Sequence, residues 1–212
     1  GTRNLAIASQ RFDSVLFYVS TDYVFDGKEV PKNGYREFDR PSPVSVYGLS
    51  KLWGEYYVQK LLNKFCIIRT SWLFGSSRNN YITAMLDPGK EILATDEMVS
   101  SPTLTKDLAQ AIKSLITHNP SLIATPHGIY HLTNGGFASR YEIAEYVTKI
   151  SGIPQKNIKK VKLSELNLSA RRPSCSVMEN YVWKLDGHKP LRPWQDAVKE
   201  FLSKYSPSIK GD

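Results

Sequence analysis

Val46-Tyr47-Gly48-Leu49-Ser50-Lys51, read with Tyr18-Val19-Ser20-Thr21-Asp22 about twenty-five residues earlier, decides the fold of this chain. Tyr47 and Lys51 stand four apart in a segment that reads as the opening of a helix, so their side chains share a face. The earlier stretch reads as a buried strand that ends in hydroxyls and a carboxylate. A phenol, an ammonium and a hydroxyl converging on one point are what carbonyl reduction needs to protonate an alkoxide. A phenol ordinarily titrates at about 10, and an ammonium beside it favours the phenolate and lowers that value. Tyrosine and lysine at this spacing also occur by chance in many helices, so the pair needs support from the rest of the chain.

Working outward, Gly1 to Gln10 reads as helix, and Val15 to Val19 is a continuous β-branched and aromatic run that suggests a strand covered on both faces. Ser20 to Ser45 carries Gly27, Pro31, Gly34, Pro41 and Pro43 and reads as a long functional connection. A helix over 45–62 shows an apolar stripe of Leu49, Leu52, Trp53, Tyr56, Tyr57 and Leu61. Phe65 to Arg69 is a second short strand, Tyr81 to Leu86 a helix, Ile92 to Ala94 a strand and Ile129 to Leu132 another. Leu108, Ala111, Ile112, Leu115 and Ile116 mark a helix, and Ser139-Arg140-Tyr141-Glu142 is a capping box opening a helix that ends at Gly152. Arg171-Arg172-Pro173 reads as a loop and Trp194 to Tyr205 as a last helix. Strand and helix alternate through the first two-thirds, which predicts an α/β fold with a parallel sheet. Ligands then sit outside the carboxyl ends of the strands, here Ser20-Thr21-Asp22, Thr70-Ser71-Trp72 and Thr133-Asn134.

Composition narrows the function. The 212 residues, 41% hydrophobic and 23% charged, are ordinary for a globular chain, and no apolar run is long enough to cross a bilayer. No secretory leader is expected from the sequence. The net charge of +8 is read as a solvated basic surface, as in Lys156-Asn157-Ile158-Lys159-Lys160-Val161-Lys162, and it suits a doubly anionic small substrate. Nucleic acid is not expected, because the aromatics fall in core-like elements rather than among the basic residues. Cys66 and Cys175 form neither a disulfide framework nor a metal spacing, and Cys66 reads as a small core residue in a chain of the reducing cytoplasm. His127 and His131 straddle Gly128 beside a strand, so no metal is expected. Gly135-Gly136 reads as a plain turn, and Gly48-Leu49-Ser50-Lys51 does not complete a serine-hydrolase elbow.

Tyr-x-x-x-Lys after a strand ending Ser-Thr resembles the extended short-chain dehydrogenase/reductase superfamily. More narrowly, Tyr18-Val-Ser-Thr-Asp-Tyr-Val-Phe-Asp-Gly27, Pro41-Ser-Pro-Val-Ser-Val-Tyr-Gly-Leu-Ser-Lys-Leu-Trp-Gly-Glu55 and Arg69-Thr-Ser-Trp-Leu-Phe-Gly75 resemble the dTDP-4-dehydrorhamnose reductase family. Ser101-Pro-Thr-Leu-Thr-Lys-Asp-Leu-Ala109, Gly128-Ile-Tyr-His-Leu-Thr133 and Arg172-Pro-Ser-Cys-Ser-Val177 continue the match in order. The resemblance implies NAD(P)H-dependent reduction of the 4-keto group of dTDP-4-dehydro-L-rhamnose to dTDP-L-rhamnose. It makes Tyr47 the proton donor, Lys51 the clamp on the nicotinamide ribose, and Thr21 the third catalytic hydroxyl. It places Thr21, Asp22, Trp72 and Arg172 against the substrate, with Asn80 a weaker candidate, and it allows a homodimer. Another nucleotide 4-keto sugar as substrate is one alternative, and a non-catalytic sugar-nucleotide-binding or regulatory subunit of the same fold is another.

The family opens with a strand, a Gly-x-x-Gly-x-x-Gly turn and a helix that bind the cofactor pyrophosphate, and none of the thirteen glycines here falls in that spacing. The resemblance therefore implies a partial Rossmann-like sheet, with the catalytic half over residues 1–75 and its N-terminal part absent. Residues 76–212 are expected to interleave the rest of the sheet with a smaller substrate-binding region. It also implies weak NADPH binding by these 212 residues alone.

Overall fold

The computed structural model describes residues 1–76, 79–87, 89–118, 128–153 and 157–205. In chain order, α1 (Thr2–Arg11) precedes β1 (Leu16–Thr21) and a 3-10 turn (Asp22–Val24). Then come α2 (Val46–Leu61), β2 (Phe65–Thr70), β3 (Leu73–Phe74), α3 (Tyr81–Ala84), β4 (Ile92–Ala94), β5 (Val99–Ser100), β6 (Thr103–Leu104) and α4 (Thr105–His118). The remainder is β7 (Ile129–His131), β8 (Ala138–Ser139), α5 (Arg140–Ser151), β9 (Ile158–Lys160), a further 3-10 turn (Leu163–Leu166), α6 (Tyr181–Leu185) and α7 (Trp194–Tyr205). His127 and Lys156 lie outside the described residues.

The organising sheet is parallel, in the order β1-β2-β7. Leu16 pairs with Phe65, Thr21 with Thr70 and Arg69 with His131, so the carboxyl ends of all three strands lie level along one edge. Alternation along β2 explains how both faces are covered. Cys66 and Ile68 pack with Leu108, Ala111 and Leu115 of α4, whereas Ile67 packs with Ala6 of α1 and Val58 of α2. Helices on both faces of a parallel sheet are the expected α/β arrangement, and β7 brings a late stretch of chain back beside β2.

A second core unites Phe74, Ile82, Ile92 and Leu104 with Ile143, Ala144 and Val147 of α5 and Ala197, Val198 and Phe201 of α7. The predicted capping box is present: Ser139 Oγ accepts from Glu142 N at 3.1 Å and Glu142 Oε2 accepts from Ser139 N at 2.7 Å. Gly135 does more than turn the chain. Its N–H donates to Arg192 O and its carbonyl accepts from Trp194 N, so it seats the start of α7. The basic stretch expected to be plain surface contains β9, which pairs in parallel with β4.

The α2 stripe differs from its reading. Leu49, Trp53 and Tyr56 are exposed, and the helix buries Gly48, Gly54, Glu55 and Val58 instead. Small residues let the helix axis approach β1 closely, which large side chains would prevent. No described helix is long and apolar enough to cross a membrane.

Candidate active site

Thr21 closes β1, where its hydroxyl accepts from Tyr23 N at 3.2 Å and donates to Asp22 Oδ1 at 3.1 Å. The other carboxylate oxygen of Asp22 accepts from Ser176 Oγ at 2.5 Å and Ser100 Oγ at 3.1 Å. Asp22 is 2% exposed. Burial pushes its carboxyl up to about 6, against the opposing pull of the three hydroxyls.

Helix α2 reaches this strand end through two glycines. Ser45 Oγ caps the helix by accepting from Gly48 N at 3.1 Å. A Cβ on Gly48 would stand 2.1 Å from Tyr23 O, so only glycine lets the first turn rest on the Asp22–Val24 turn. The neighbouring Tyr47 ring meets Tyr23 edge to face with centroids 6.0 Å apart, and Tyr47 is 54% exposed. A Cβ on Gly54 would fall 2.1 Å from the Tyr18 hydroxyl, which lies across the helix and donates to Lys51 O at 3.3 Å. Lys51 sits over the Tyr18 ring at 4.2 Å and donates from Nζ to Val19 O at 2.5 Å.

One turn beyond Lys51, Glu55 is fully buried. It accepts from Arg69 Nε at 3.0 Å, Arg69 Nη2 at 2.7 Å and Ser20 Oγ at 2.5 Å. That carboxylate ties α2 to both β1 and β2. Arg69 Nη1 also approaches His131 Nε2 at 3.4 Å, while His131 Nδ1 donates to Tyr35 O at 3.0 Å. Burial and the Arg69 charge hold the His131 pKa well below the usual range, so the ring is neutral.

Beyond β2, Trp72 adopts φ +41°, a left-handed conformation that is uncommon for a bulky residue. Its indole Nε1 is buried without a partner among the described residues. The Arg140 guanidinium lies 3.6 Å from the Trp72 centroid and 4.2 Å from that of Tyr81, whose hydroxyl donates to Arg140 O at 3.0 Å. Burial lowers the Arg140 pKa, and Tyr81, Tyr23 and Asp22 favour its charge. Arg172 is exposed. Burial raises the Tyr23 pKa, Asp22 adds to that rise, and Arg172 and Arg140 oppose it. Both arginines therefore act on Tyr23, in the turn that follows Thr21.

Other candidates have structural duties. Asn134 accepts from Leu104 N at 2.8 Å and donates to Asp107 Oδ2 at 2.7 Å, and Thr133 N and Oγ1 both donate to Asn180 Oδ1 at 3.1 Å. The side chains at the third strand end are therefore engaged in structural hydrogen bonds. Asn80 caps α3 through its side-chain oxygen and donates to Gly75 O. No cluster of three or more His, Cys, Asp or Glu able to hold a metal occurs among the described residues. Sequence reading did not single out Ser100, Ser176 or Arg140, and it quoted Glu55 and Arg69 without giving them a role. A charged residue in the apolar run Phe65-Cys66-Ile67-Ile68-Arg69 was the one available signal for the buried pair.

A parallel α/β sheet with a Tyr-x-x-x-Lys helix laid against a Ser-Thr strand end defines the Rossmann-like class. Within it, the chain belongs to the family described as the RmlD substrate binding domain, whose model matches residues 1–206. It is 35% identical over 209 residues to the spore coat polysaccharide biosynthesis protein SpsK of Bacillus subtilis, covering 97% of this chain and 70% of that one. It is also 35% identical over 205 residues to dTDP-4-dehydrorhamnose reductase of Streptomyces griseus, covering 94% and 66%. The crystal structure of dTDP-4-dehydrorhamnose reductase from Bacillus anthracis in complex with NADP superposes with a TM-score of 0.87 at 34% identity. That match covers 96% of this chain and 70% of the other. The chain thus spans 66–70% of the length of these two curated relatives.

Proposed function

We propose that this chain carries the catalytic and sugar-binding residues of an oxidoreductase that reduces the 4-keto group of dTDP-4-dehydro-L-rhamnose to give dTDP-L-rhamnose. The observation that carries the reading is the close approach at Gly48, which sets the half-exposed Tyr47 beside the turn that follows Thr21. The relatives' names and the NADP complex of the solved neighbour support the same chemistry.

Tyr47 and Lys51 fit the nicotinamide-ribose end of NADPH or NADH. Lys51 has spent one N–H on Val19 O and keeps two further donors for ribose hydroxyls, and Tyr47 is accessible. The cofactor supplies a hydride when bound. Thr21 hydrogen-bonds the sugar oxygen at C4, and Tyr47 gives that oxygen its proton. Asp22, enclosed by three hydroxyls, holds the one Thr21 hydroxyl hydrogen in the free site, and that hydrogen turns from Asp22 Oδ1 to the sugar oxygen when the substrate binds. Trp72 presents an aromatic face to the substrate, and Arg172 meets its phosphate.

In this reading residues 1–75 are the catalytic half of the Rossmann-like unit, and 76–212 interleave the rest of the sheet with the substrate region. A homodimer belongs to the reading as well. Val46, Leu49, Trp53 and Tyr56 are exposed on one side of α2, beside a groove of about 580 Å³ that Phe38 and Pro41 also line. We place the protein in the cytoplasm, where Cys66 and Cys175 would remain free as they are here. The test is NADPH oxidation that depends on dTDP-4-dehydro-L-rhamnose. Turnover confined to another nucleotide 4-keto sugar would reassign the substrate. Nucleotide-sugar binding without any turnover would favour a regulatory subunit.

A further inference from the structure

The Trp72–Arg140–Tyr81 stack leaves its hydrogen-bonding capacity unspent. The Arg140 guanidinium, held between two rings at 3.6 and 4.2 Å, makes no hydrogen bond or ion pair among the described residues. Stacking uses the faces of the guanidinium plane and leaves the edges, which carry five N–H donors. The Trp72 indole N–H beside it is also buried and unpartnered. Both residues line a cavity of about 290 Å³ with Asn80, Tyr81, Pro102 and Ile143. Buried donors without acceptors are costly, and a buried positive charge more so, unless a ligand satisfies them. Asp22, the carboxylate whose charge acts on Arg140, already accepts from Thr21, Ser100 and Ser176. The charge at Arg140 therefore remains open to an incoming anion.

We propose that Arg140, with the Trp72 indole N–H, forms a preorganised oxyanion site that receives the diphosphate of the nucleotide-sugar substrate. The inference rests on the nucleotide-sugar reading above and adds to it a residue and a binding role. The aromatic sandwich fixes the plane of the guanidinium, so little side-chain entropy is lost when the anion arrives. Arg172, which is exposed and whose charge also acts on Tyr23, meets the same anion from the solvent side, which makes Arg140 the inner and Arg172 the outer contact.

Calorimetric titration of the protein with inorganic pyrophosphate and with dTDP tests this. The unsubstituted protein is expected to bind both, and Arg140→Gln to weaken both by about ten- to a hundredfold, the range for a charge-assisted hydrogen bond at a partly buried site. Trp72→Phe, which keeps an aromatic face and removes the N–H, is expected to weaken both several-fold, and Arg140→Lys to recover part of the affinity. If Arg140→Gln does not fold, Trp72→Phe and Arg140→Lys decide. Unchanged pyrophosphate and dTDP affinity in folded Arg140→Gln overturns the assignment of Arg140 and leaves the proposed function standing. Failure of the unsubstituted protein to bind either ligand overturns both.

Discussion

Asp22 is where single-residue physics makes a measurable statement about this site. Its carboxyl is buried among three hydroxyls and titrates at about 6 instead of the 3.8 of the free side chain. A folded-state pKa raised above the unfolded one means that the folded protein holds a proton the unfolded chain has released. The contribution is fully present below pH 3.8 and is lost as pH rises through about 6, and it amounts to about 3 kcal/mol. Asp22→Asn is therefore expected to flatten the stability profile between about pH 4 and 6 and to raise the melting temperature at pH 7.5, by thermal denaturation across that range. An unchanged slope would show that Asp22 does not titrate there. The placement of Thr21 at a strand end and of Tyr47 and Lys51 at the start of a helix was legible from residue type and spacing, because both features are local. Ser100 and Ser176 were not, since they reach Asp22 from 78 and 154 residues away and look like ordinary loop serines. Arg140 was visible only as part of a capping box. Its stacking depends on Trp72 and Tyr81, which no local pattern links to it.

Between elements, α2 is positioned by contacts that an amphipathic reading captures only in part, at Leu52 and Leu61. The eye goes to Leu49, Trp53 and Tyr56, yet the face on the sheet is built from Gly48, Gly54, Glu55 and Val58. Helical periodicity reports apolar surface, and here backbone approach rather than apolar area decides the packing. Gly48→Ala places a methyl group 2.1 Å from Tyr23 O, a backbone atom that cannot swing aside. It is expected to cost about 1–3 kcal/mol by denaturant unfolding and to lower kcat more than KM, because Tyr47 is displaced from the Thr21 strand end. Stability and kinetics equal to the parent would mean that the close approach has no role. Glu55→Gln tests the second anchor. Removing one partner of a buried bidentate pair is expected to cost about 3–5 kcal/mol, far above a surface ion pair. The same loss in a Glu55→Gln, Arg69→Met double variant would contradict the pairing, since removing both charges should recover much of it. The long elements and their type were readable from sequence. The two-residue strands and β9 were not, because their pairing is long-range and their local patterns are too short to register.

At the scale of the molecule, the parallel order β1-β2-β7 gathers the site along one edge, and α5 adds Arg140 to it from the second core. Alternating strands and helices made the sheet predictable. That Thr133 and Asn134 are taken up by structural hydrogen bonds was not, since the partners Asp107, Asn180 and Arg192 come from three distant segments. The exposed side of α2 bears on assembly. If copies associate there, sedimentation will show a dimer that Trp53→Glu converts to monomer, whereas a monomer at all concentrations would remove the homodimer from the account. The account as a whole depends on Tyr47 as the proton donor at the end of β1. Its most direct test is the yield of dTDP-L-rhamnose from dTDP-4-dehydro-L-rhamnose and NADPH, comparing the protein with Tyr47→Phe and measuring dTDP affinity alongside. The predicted result is a loss of turnover of at least about a hundredfold, the lower range for a general acid, with dTDP affinity unchanged. Normal turnover in Tyr47→Phe would contradict it.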